Sequence, residues 1–372
     1  MHTPDPAPGP ADPLRVAVVG TGNIARYHVE ALQALSGDAV VVAAADVNPD
    51  ALAVFTDRYG IPERFTDLDR MLGEVRPDLV HLCTPPGLHH GQALACLRAG
   101  VNALVEKPPA LSLAELEDMA AAEGPQGPYV ATLFQHRFGS GARRVRALVE
   151  SGGLGRPLLA VCHTLWFRDQ AYFDVPWRGR WDTEGGGPTM GHGIHQMDLL
   201  LALLGDWTEV SATARRQARV METEDLSLAH VAFANGAVAS VVNSVLSPRE
   251  ESYIRLDFER ATVELRHLYG YGDSDWTLTP APGFEEAAAA AWAAGESGVA
   301  SGHHAQIAQV LAALRAKEPP PVTTADALRT LRLVAGLYAS AAQRRTVTPA
   351  ELRRGSRYYD RMHGGGTPWQ SR

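Results

Sequence analysis

The chain has 372 residues, 45% hydrophobic and 20% charged, with 34 basic against 42 acidic side chains and a formal net charge of −8. That balance offers no polybasic surface to nucleic acid or an anionic membrane, and no apolar run approaches the ~20 residues a membrane span needs. The length suits two domains, or one large core with an appendage.

Residues Met1 to Pro13 are proline-rich, without a basic start or an apolar run, and read as a disordered leader rather than a secretory signal. The first element is the short apolar strand Arg15-Val16-Ala17-Val18-Val19. It runs into the turn Gly20-Thr21-Gly22-Asn23-Ile24-Ala25 and a helix over Ala25–Leu35. Gly20 permits the sharp turn, and Gly22 lets the backbone, with Asn23 and Ile24 at the helix start, approach a pyrophosphate. Ala25 is the third small residue, where helix and strand pack closely. The continuous apolar run Ala39–Ala45 suits a strand buried on both faces, and it ends in Asp46. A carboxylate there can accept bonds from both ribose hydroxyls of an adenosine and repel a 2′-phosphate, which favours NAD over NADP. The plainer reading is a turn aspartate ahead of Asn48-Pro49.

Helix and strand patterns then alternate. Helix Asp50–Tyr59 stops at Gly60, and strand Arg64–Thr66 and helix Asp67–Leu72 follow. Strand Leu79–Thr84 closes on Pro85-Pro86, and helix Leu88–Ala99 on Gly100. Strand Asn102–Val105 ends in Glu106-Lys107-Pro108. Ser112 with Glu115 caps helix Leu113–Glu123, and Tyr129–Gln135 is a strand. This order predicts a parallel, doubly wound sheet.

Beyond it come helix Gly141–Glu150, strand Leu158–Phe167, an aromatic, glycine-rich loop over 168–190 and the apolar helix Ile194–Leu204. Strand-like runs follow without helices between them: Val210–Ala218, Leu226–Phe233, Ala237–Val245, Ser252–Phe258 and Thr262–Arg266. Asn235-Gly236 forms a hairpin turn between two of them. The second domain is therefore α+β, with a large open, mostly antiparallel sheet. Residues 281–300 form a surface helix or a mobile excursion, helices close the chain near 303–316 and 324–343, and the tail beyond Gly355 is loose. The expected division is a leader over 1–13, a dinucleotide-binding domain over 14–137, an α+β substrate and oligomerisation domain over 138–350, and a tail over 351–372. The closing helices are free to pack back on the first domain. Cys83, Cys96 and Cys162 are an odd set without a C-x-x-C pair, and read as free thiols in a reducing cytoplasm.

The residues able to do chemistry fall at the carboxyl ends of strands, where an open parallel sheet binds its ligands. Thr84 and Pro85 end one strand; Glu106 and Lys107 end another. A Glu-Lys pair there is costly unless it faces a polar cleft. Lys107, with a cis bond to Pro108, could donate to a substrate hydroxyl or carbonyl; the plainer reading is a surface Lys-Pro turn. Farther on, Glu184-Gly185-Gly186-Gly187-Pro188-Thr189-Met190-Gly191-His192-Gly193-Ile194-His195-Gln196-Met197-Asp198 leads glycines into an apolar helix. His195 shares a helix face with Asp198 and with His192. An imidazole beside a carboxylate suits a general base that takes a hydroxyl proton as hydride leaves the same carbon. The same three residues could instead cap and pack the helix. A metal site would need further ligands, and none is assigned.

In this order and spacing the pieces resemble the glucose–fructose oxidoreductase, inositol dehydrogenase and MocA family, from Leu14 to about Val347. Glu106-Lys107-Pro108 together with the later glycines, His195 and Asp198 is the specific part, and Pro321-Val322-Thr323 before the last helix also fits. The resemblance implies an N-terminal Rossmann domain and a C-terminal sheet that commonly packs on another subunit, giving a homodimer or homotetramer. It implies NAD(P)-dependent chemistry at a hydroxyl carbon of a sugar, cyclitol or related polyol. Lys107 is then the substrate-orienting lysine and His195 the proton-transferring histidine, while Asp198 binds substrate or supports His195. Thr84, Pro85, His89 and Glu106 contact the cofactor, and Trp177 and Arg178 lie near the nicotinamide or substrate. The sequence departs from the pattern at Gly191, where many members carry Asp or Asn; a supporting hydrogen bond is missing, or His192 supplies it. Trp166, Arg168, Tyr172, Phe173 and Arg180 are candidates to line the substrate pocket by stacking on a sugar or pairing with a carboxylate. Arg137 and His303 are further candidates for contact. Rival functions are a redox-assisted hydrolase that keeps its NAD bound and a non-catalytic NAD sensor.

Overall fold

A computed structural model describes residues 12–366. The expected leader falls almost wholly on residues 1–11, and the end of the tail on 367–372, both outside the described residues.

The first layer system runs β1 (Leu14–Val19), α1 (Ala25–Ala34), β2 (Ala39–Ala45), α2 (Pro49–Tyr59), β3 (Glu63–Phe65), α3 (Leu68–Val75), β4 (Leu79–Leu82), α4 (His89–Arg98), β5 (Asn102–Val105), α5 (Leu113–Ala122) and β6 (Val130–Thr132). Its strands pair in parallel in the order β3-β2-β1-β4-β5-β6. The order reverses between β1 and β4, so a crevice opens at their carboxyl ends. Gly20 sits there with φ +85°, and a Cβ on it would lie 2.9 Å from the Cys83 carbonyl. Glycine alone satisfies both the conformation and the close approach. Nothing lies within 4 Å of the Cβ direction of Gly22, so the turn is open above it.

The second system runs α6 (Ser140–Glu150), β7 (Pro157–Phe167), α7 (Gln170–Phe173), α8 (Trp181–Glu184), α9 (Pro188–Gly191), α10 (Ile194–Leu204), β8 (Trp207–Arg215), β9 (Leu226–Phe233), β10 (Val238–Ser244), β11 (Leu246–Phe258), β12 (Ala261–His267), β13 (Trp276–Pro280), α11 (Glu285–Ala293), α12 (His303–Ala316), α13 (Thr324–Gln343) and α14 (Arg357–Asp360). Its sheet has the order β13-β12-β11-β7-β10-β9-β8. Only the β7–β10 pair is parallel, so the sheet is mostly antiparallel, as the hairpin signals indicate. The α10 helix is buried almost all round, the pattern of a central core helix. The α12 helix packs on α1 through Ile307, Val310 and Leu311, which join Val16, Leu32 and Leu79 in one cluster; α13 packs on α5 and β8.

Several elements differ from their reading in the sequence. The 168–190 loop coils into the one-turn helices α7, α8 and α9. The β8 strand ends at Arg215 rather than Ala218, because the Asp225 carboxylate gathers the N–H groups of Gln217, Ala218 and Arg219. The β11 strand starts at Leu246, ahead of a register shift that passes Pro248. The β13 strand was hidden by the glycines and aspartates that precede it. Residues 285–293 form the surface-helix alternative. Past Gly355 the chain does not run loose through its first turns: α14 packs on α5, with Tyr358, Tyr359 and Met362 buried.

Gly193 joins α9 to α10, and a Cβ there would fall 1.9 Å from Asn243 Oδ1 in a buried setting. Gly193→Ala should lower stability by about 1–3 kcal/mol through overpacking. Asn243→Ser in the same chain should recover part of the loss, read from urea-unfolding midpoints at constant m.

Candidate active site

The crevice beyond β1 and β4 opens into a cavity of about 840 Å³ that reaches the α7–α9 segment. That volume falls in the range of cofactor and ligand pockets. At one end it is lined by Gly20, Gly22, Asn23, Ile24 and Asp46; at its middle by Thr84, Pro85, Glu106 and Lys107; at the far end by Trp166, Arg168, Tyr172, Trp177, Arg178 and His192. Residues 20 to 192 of the reading thus converge on one space. Phe173 and Arg180 are not in its lining.

At the first end Asp46 already has protein partners. Its Oδ2 accepts from Thr21 N at 2.7 Å and Thr21 Oγ1 at 2.8 Å, and Oδ1 accepts from Asn48 N at 2.9 Å. These bonds hold the carboxylate across the glycine turn, where each oxygen can still accept from a ribose hydroxyl. The open space above Gly22, the start of α1 and Asp46 together fit a dinucleotide.

Glu106 is 4% exposed and accepts three hydrogen bonds: from His28 Nε2 at 3.0 Å, His303 Nε2 at 3.2 Å and the Lys107 N–H at 3.0 Å. Burial alone would raise its pKa, but the hydrogen bonds from His28 and His303 take it well below the usual carboxylate range. His28 Nδ1 lies 2.9 Å from His81 Nδ1. His28, Glu106 and His303 are the set of side chains, among the described residues, close enough together to hold a metal. Their contacts are also those of ordinary hydrogen bonds, and no site is assigned there.

The Lys107–Pro108 bond is cis, as the sequence suggested. Lys107 Nζ donates to the Gly191 carbonyl at 2.9 Å, across from the first sheet to the α9 turn. Burial lowers its pKa, Arg178 adds to that, and Glu106 opposes. A Cβ on Gly191 would meet Glu184 Oε1 at 3.4 Å. Glu184 therefore stands where an acidic side chain at 191 would reach, which explains physically why glycine is compatible there. Glu184 also accepts from Gly179 N at 2.6 Å, and burial raises its pKa.

The histidines divide. His192 is in the cavity wall, its Nε2 3.3 Å from Tyr172 Oη and its ring edge-on to Trp166. His195 is 2% exposed and does not line the cavity. Its ring stacks on His136 at 4.9 Å and meets the edge of Tyr269 at 5.5 Å, and Tyr269 does line the cavity. Neither His195 nitrogen has a hydrogen-bond partner among the described residues. Burial holds both imidazoles neutral, and the Lys107 charge reinforces it.

Three expected site residues lie outside the lining. Asp198 is buried and takes a bidentate pair from Arg137 (2.6 and 2.7 Å) and a bond from Thr330 Oγ1 at 2.9 Å, away from the cavity. It pins α10 to the segment after β6 and to α13, and Arg137 is likewise not in the cavity lining. His89 is buried behind the cavity, with Nδ1 2.8 Å from Pro108 O and Nε2 2.8 Å from Thr84 O. A neutral ring donates to one of them at a time, so His89 ties the end of β5 to the end of β4 behind the cavity. The residues missed were Tyr27, Glu184 and Tyr269 in the lining and the His28–His81 pair behind it. Their only sequence signal was chemical type, since tertiary packing alone brings them together.

Residues 14–133 match an oxidoreductase family with an NAD-binding Rossmann fold, and residues 142–264 match the GFO/IDH/MocA C-terminal domain. The chain belongs to the GFO/IDH/MocA family. It is an oxidoreductase with an NAD-binding Rossmann domain. It is similar to D-glucoside 3-dehydrogenase of Escherichia coli, at 27% identity over 72% of this chain and 81% of the relative. It is also similar to D-apiose dehydrogenase of Paraburkholderia graminis, at 27% identity over 89% and 88%. The WlbA dehydrogenase from Bordetella pertussis, solved in complex with NADH and UDP-GlcNAcA, superposes with a TM-score of 0.81 at 27% identity, covering 91% of this chain and 99% of that one. No helix among the described residues is long and apolar enough to cross a membrane.

Asp46→Ser should raise the ratio of kcat/KM with NADP to that with NAD by at least about tenfold, by removing a like-charge contact with a 2′-phosphate. Steady-state rates with the two coenzymes measure it. Asp198→Ala should destabilise the fold by about 3 kcal/mol, because it removes the two-pronged partner of a buried guanidinium and leaves Arg137 only its 3.3 Å contact with Asp326; chemical unfolding reads that loss directly.

Proposed function

We propose that the protein is a dehydrogenase moving hydride between NAD and a hydroxyl carbon of a sugar, cyclitol or related small polyol, with Lys107 orienting the substrate. The observation that carries this reading is the shared cavity: the Lys107 ammonium and the Gly20–Gly22 turn with Asp46 open onto one space. The names of the sugar dehydrogenase relatives support the substrate class. Bound NAD supplies the acceptor for the hydride. The chain's part is to bind, orient and move one proton. Lys107 exchanges its Gly191 carbonyl partner for the substrate oxygen. The O–H proton passes to an imidazole as the C–H bond yields its hydrogen and electron pair, leaving a carbonyl; ketone reduction runs the reverse. Positioning and the matched base contribute most of the rate.

We assign the proton to His195, whose nitrogens have no hydrogen-bond partner among the described residues and whose ring lies against Tyr269 of the cavity wall. A second reading gives the proton to His192, and its place in the cavity wall beside Tyr172 favours that. The α+β sheet would pair subunits into a dimer or tetramer, with Leu159, Leu228 and Val238 exposed on strands of that sheet. The buried free thiols suit a cytoplasmic setting.

Lys107→Met should lower kcat by about 10²–10³ while NADH affinity stays nearly unchanged. Lost NADH affinity with kcat preserved would contradict its role. Comparing kcat against pH for His195→Asn and His192→Asn separates the two bases: the true acceptor's variant loses the low-pH limb, and the other keeps it.

A further inference from the structure

The far end of the cavity carries more positive charge than a neutral sugar requires. Arg168 and Arg178 line it, and Lys107 lines the middle of the same cavity. The charges of all three act on His192, and those of both arginines on Tyr172 and Lys107. The two guanidiniums are built into the wall. Arg178 lies 3.9 Å from the Tyr172 ring centroid and 4.2 Å from that of Trp177; Arg168 lies 5.0 Å from Trp166 and 5.5 Å from Tyr172. Their side chains are only about a quarter exposed, at 24% for Arg178 and 27% for Arg168.

Their carboxylate partners compensate them incompletely. Arg168 meets Glu250 at 2.8 Å and Arg178 meets Glu184 at 3.4 Å, each through the single nitrogen Nη1. Neither is the two-pronged contact a guanidinium makes with a carboxylate it is matched to. Glu184 is also biased by burial toward its neutral form, which weakens its compensation of Arg178. Aromatic faces hold the guanidinium planes in place, so little side-chain freedom is lost when an anion arrives.

We infer that the substrate of this dehydrogenase carries an anionic substituent, a carboxylate or a phosphate, held by Arg178 and Arg168 while Lys107 holds the reacting hydroxyl. This rests on the dehydrogenase reading above and names the substrate class of the same site. The two arginines lie on the α7–α8 side of the cavity and Lys107 on the β5 side, so one sugar ring would span them with its charged and reacting positions apart.

The test uses the NADH-loaded enzyme and matched sets built on glucose, galactose and N-acetylglucosamine: the neutral sugar, its uronate, its uronamide and its 6-phosphate. Titration calorimetry gives Kd for each, and NADH formation with NAD gives turnover. A charged member should bind at least tenfold more tightly than its neutral sugar and its uronamide, and which charged member leads tells carboxylate from phosphate. Arg178→Met should erase most of that ratio. Equal or tighter binding of the neutral members, or no binding of any charged member, would overturn the inference. NADH formed from none of the sets would count against the dehydrogenase reading, while the binding ratio would still decide the question of charge.

Discussion

A buried carboxylate at the end of a central strand is the constraint on which the site depends. Glu106 would carry a desolvation penalty of several kcal/mol if unpaired. It is paid for by donors from three separate elements: His28 on α1, His303 on α12 and the backbone N–H of Lys107. The bonding pattern assigns the protons. His28 donates through Nε2, so its Nδ1 accepts from His81 Nδ1, while the carboxylate stays charged. A neutral first sheet end would leave Lys107 as an isolated buried cation. With Glu106 beside it, the lysine keeps its charge in a setting that otherwise works against it.

The second constraint is the crossing from the first sheet to the α9 turn. The bond from Lys107 to the Gly191 carbonyl joins residues 84 apart in sequence and closes the cavity over its middle. It also explains the glycine. A Cβ on residue 191 would already touch Glu184 Oε1 at 3.4 Å, and a second carboxylate beside that one would be disfavoured as a like charge. The segment has exchanged one acid position for another. Glu184 in turn is tied to the Gly179 N–H and to Arg178, and Arg178 to Tyr172. The wall facing substrate is thus a connected set of polar contacts running from α7 to α9.

Much of this was legible in the residues, and what was not has a common cause. The glycine turn, Asp46, Thr84, Glu106 and Lys107 are each fixed by a strand end, and strand ends in a parallel sheet are set by short-range pattern. The helix α10 was harder. Spacing placed His195 and Asp198 on one face, but a helix buried all round has no solvent face to orient it. Arg137, far off in the chain, claimed Asp198, and Tyr269, farther still, came to stand beside His195. Local periodicity cannot rank such partners. The same holds for His28 and His81, which read as unremarkable residues of a helix and a strand until the sheet order brings their rings together.

The distribution of charge along the cavity ties these pieces to function. Asp46 puts negative charge at one end, beside the glycine turn, and Arg168 and Arg178 put positive charge at the other, with Lys107 between them. In a partly enclosed, water-poor cleft such a gradient acts over the whole length of a bound molecule, because screening by salt is weak there. It disfavours a phosphate at the Asp46 end and attracts anions to the substrate end, so one field serves both coenzyme choice and substrate orientation. Burial holds both imidazoles deprotonated before the substrate arrives, Lys107 adds to that at each, and both arginines add to it at His192. A base kept neutral by its surroundings is ready to accept a proton, and each positive charge that an anionic substrate neutralises makes acceptance easier. Binding of a charged substrate and activation of the base are then parts of one electrostatic event.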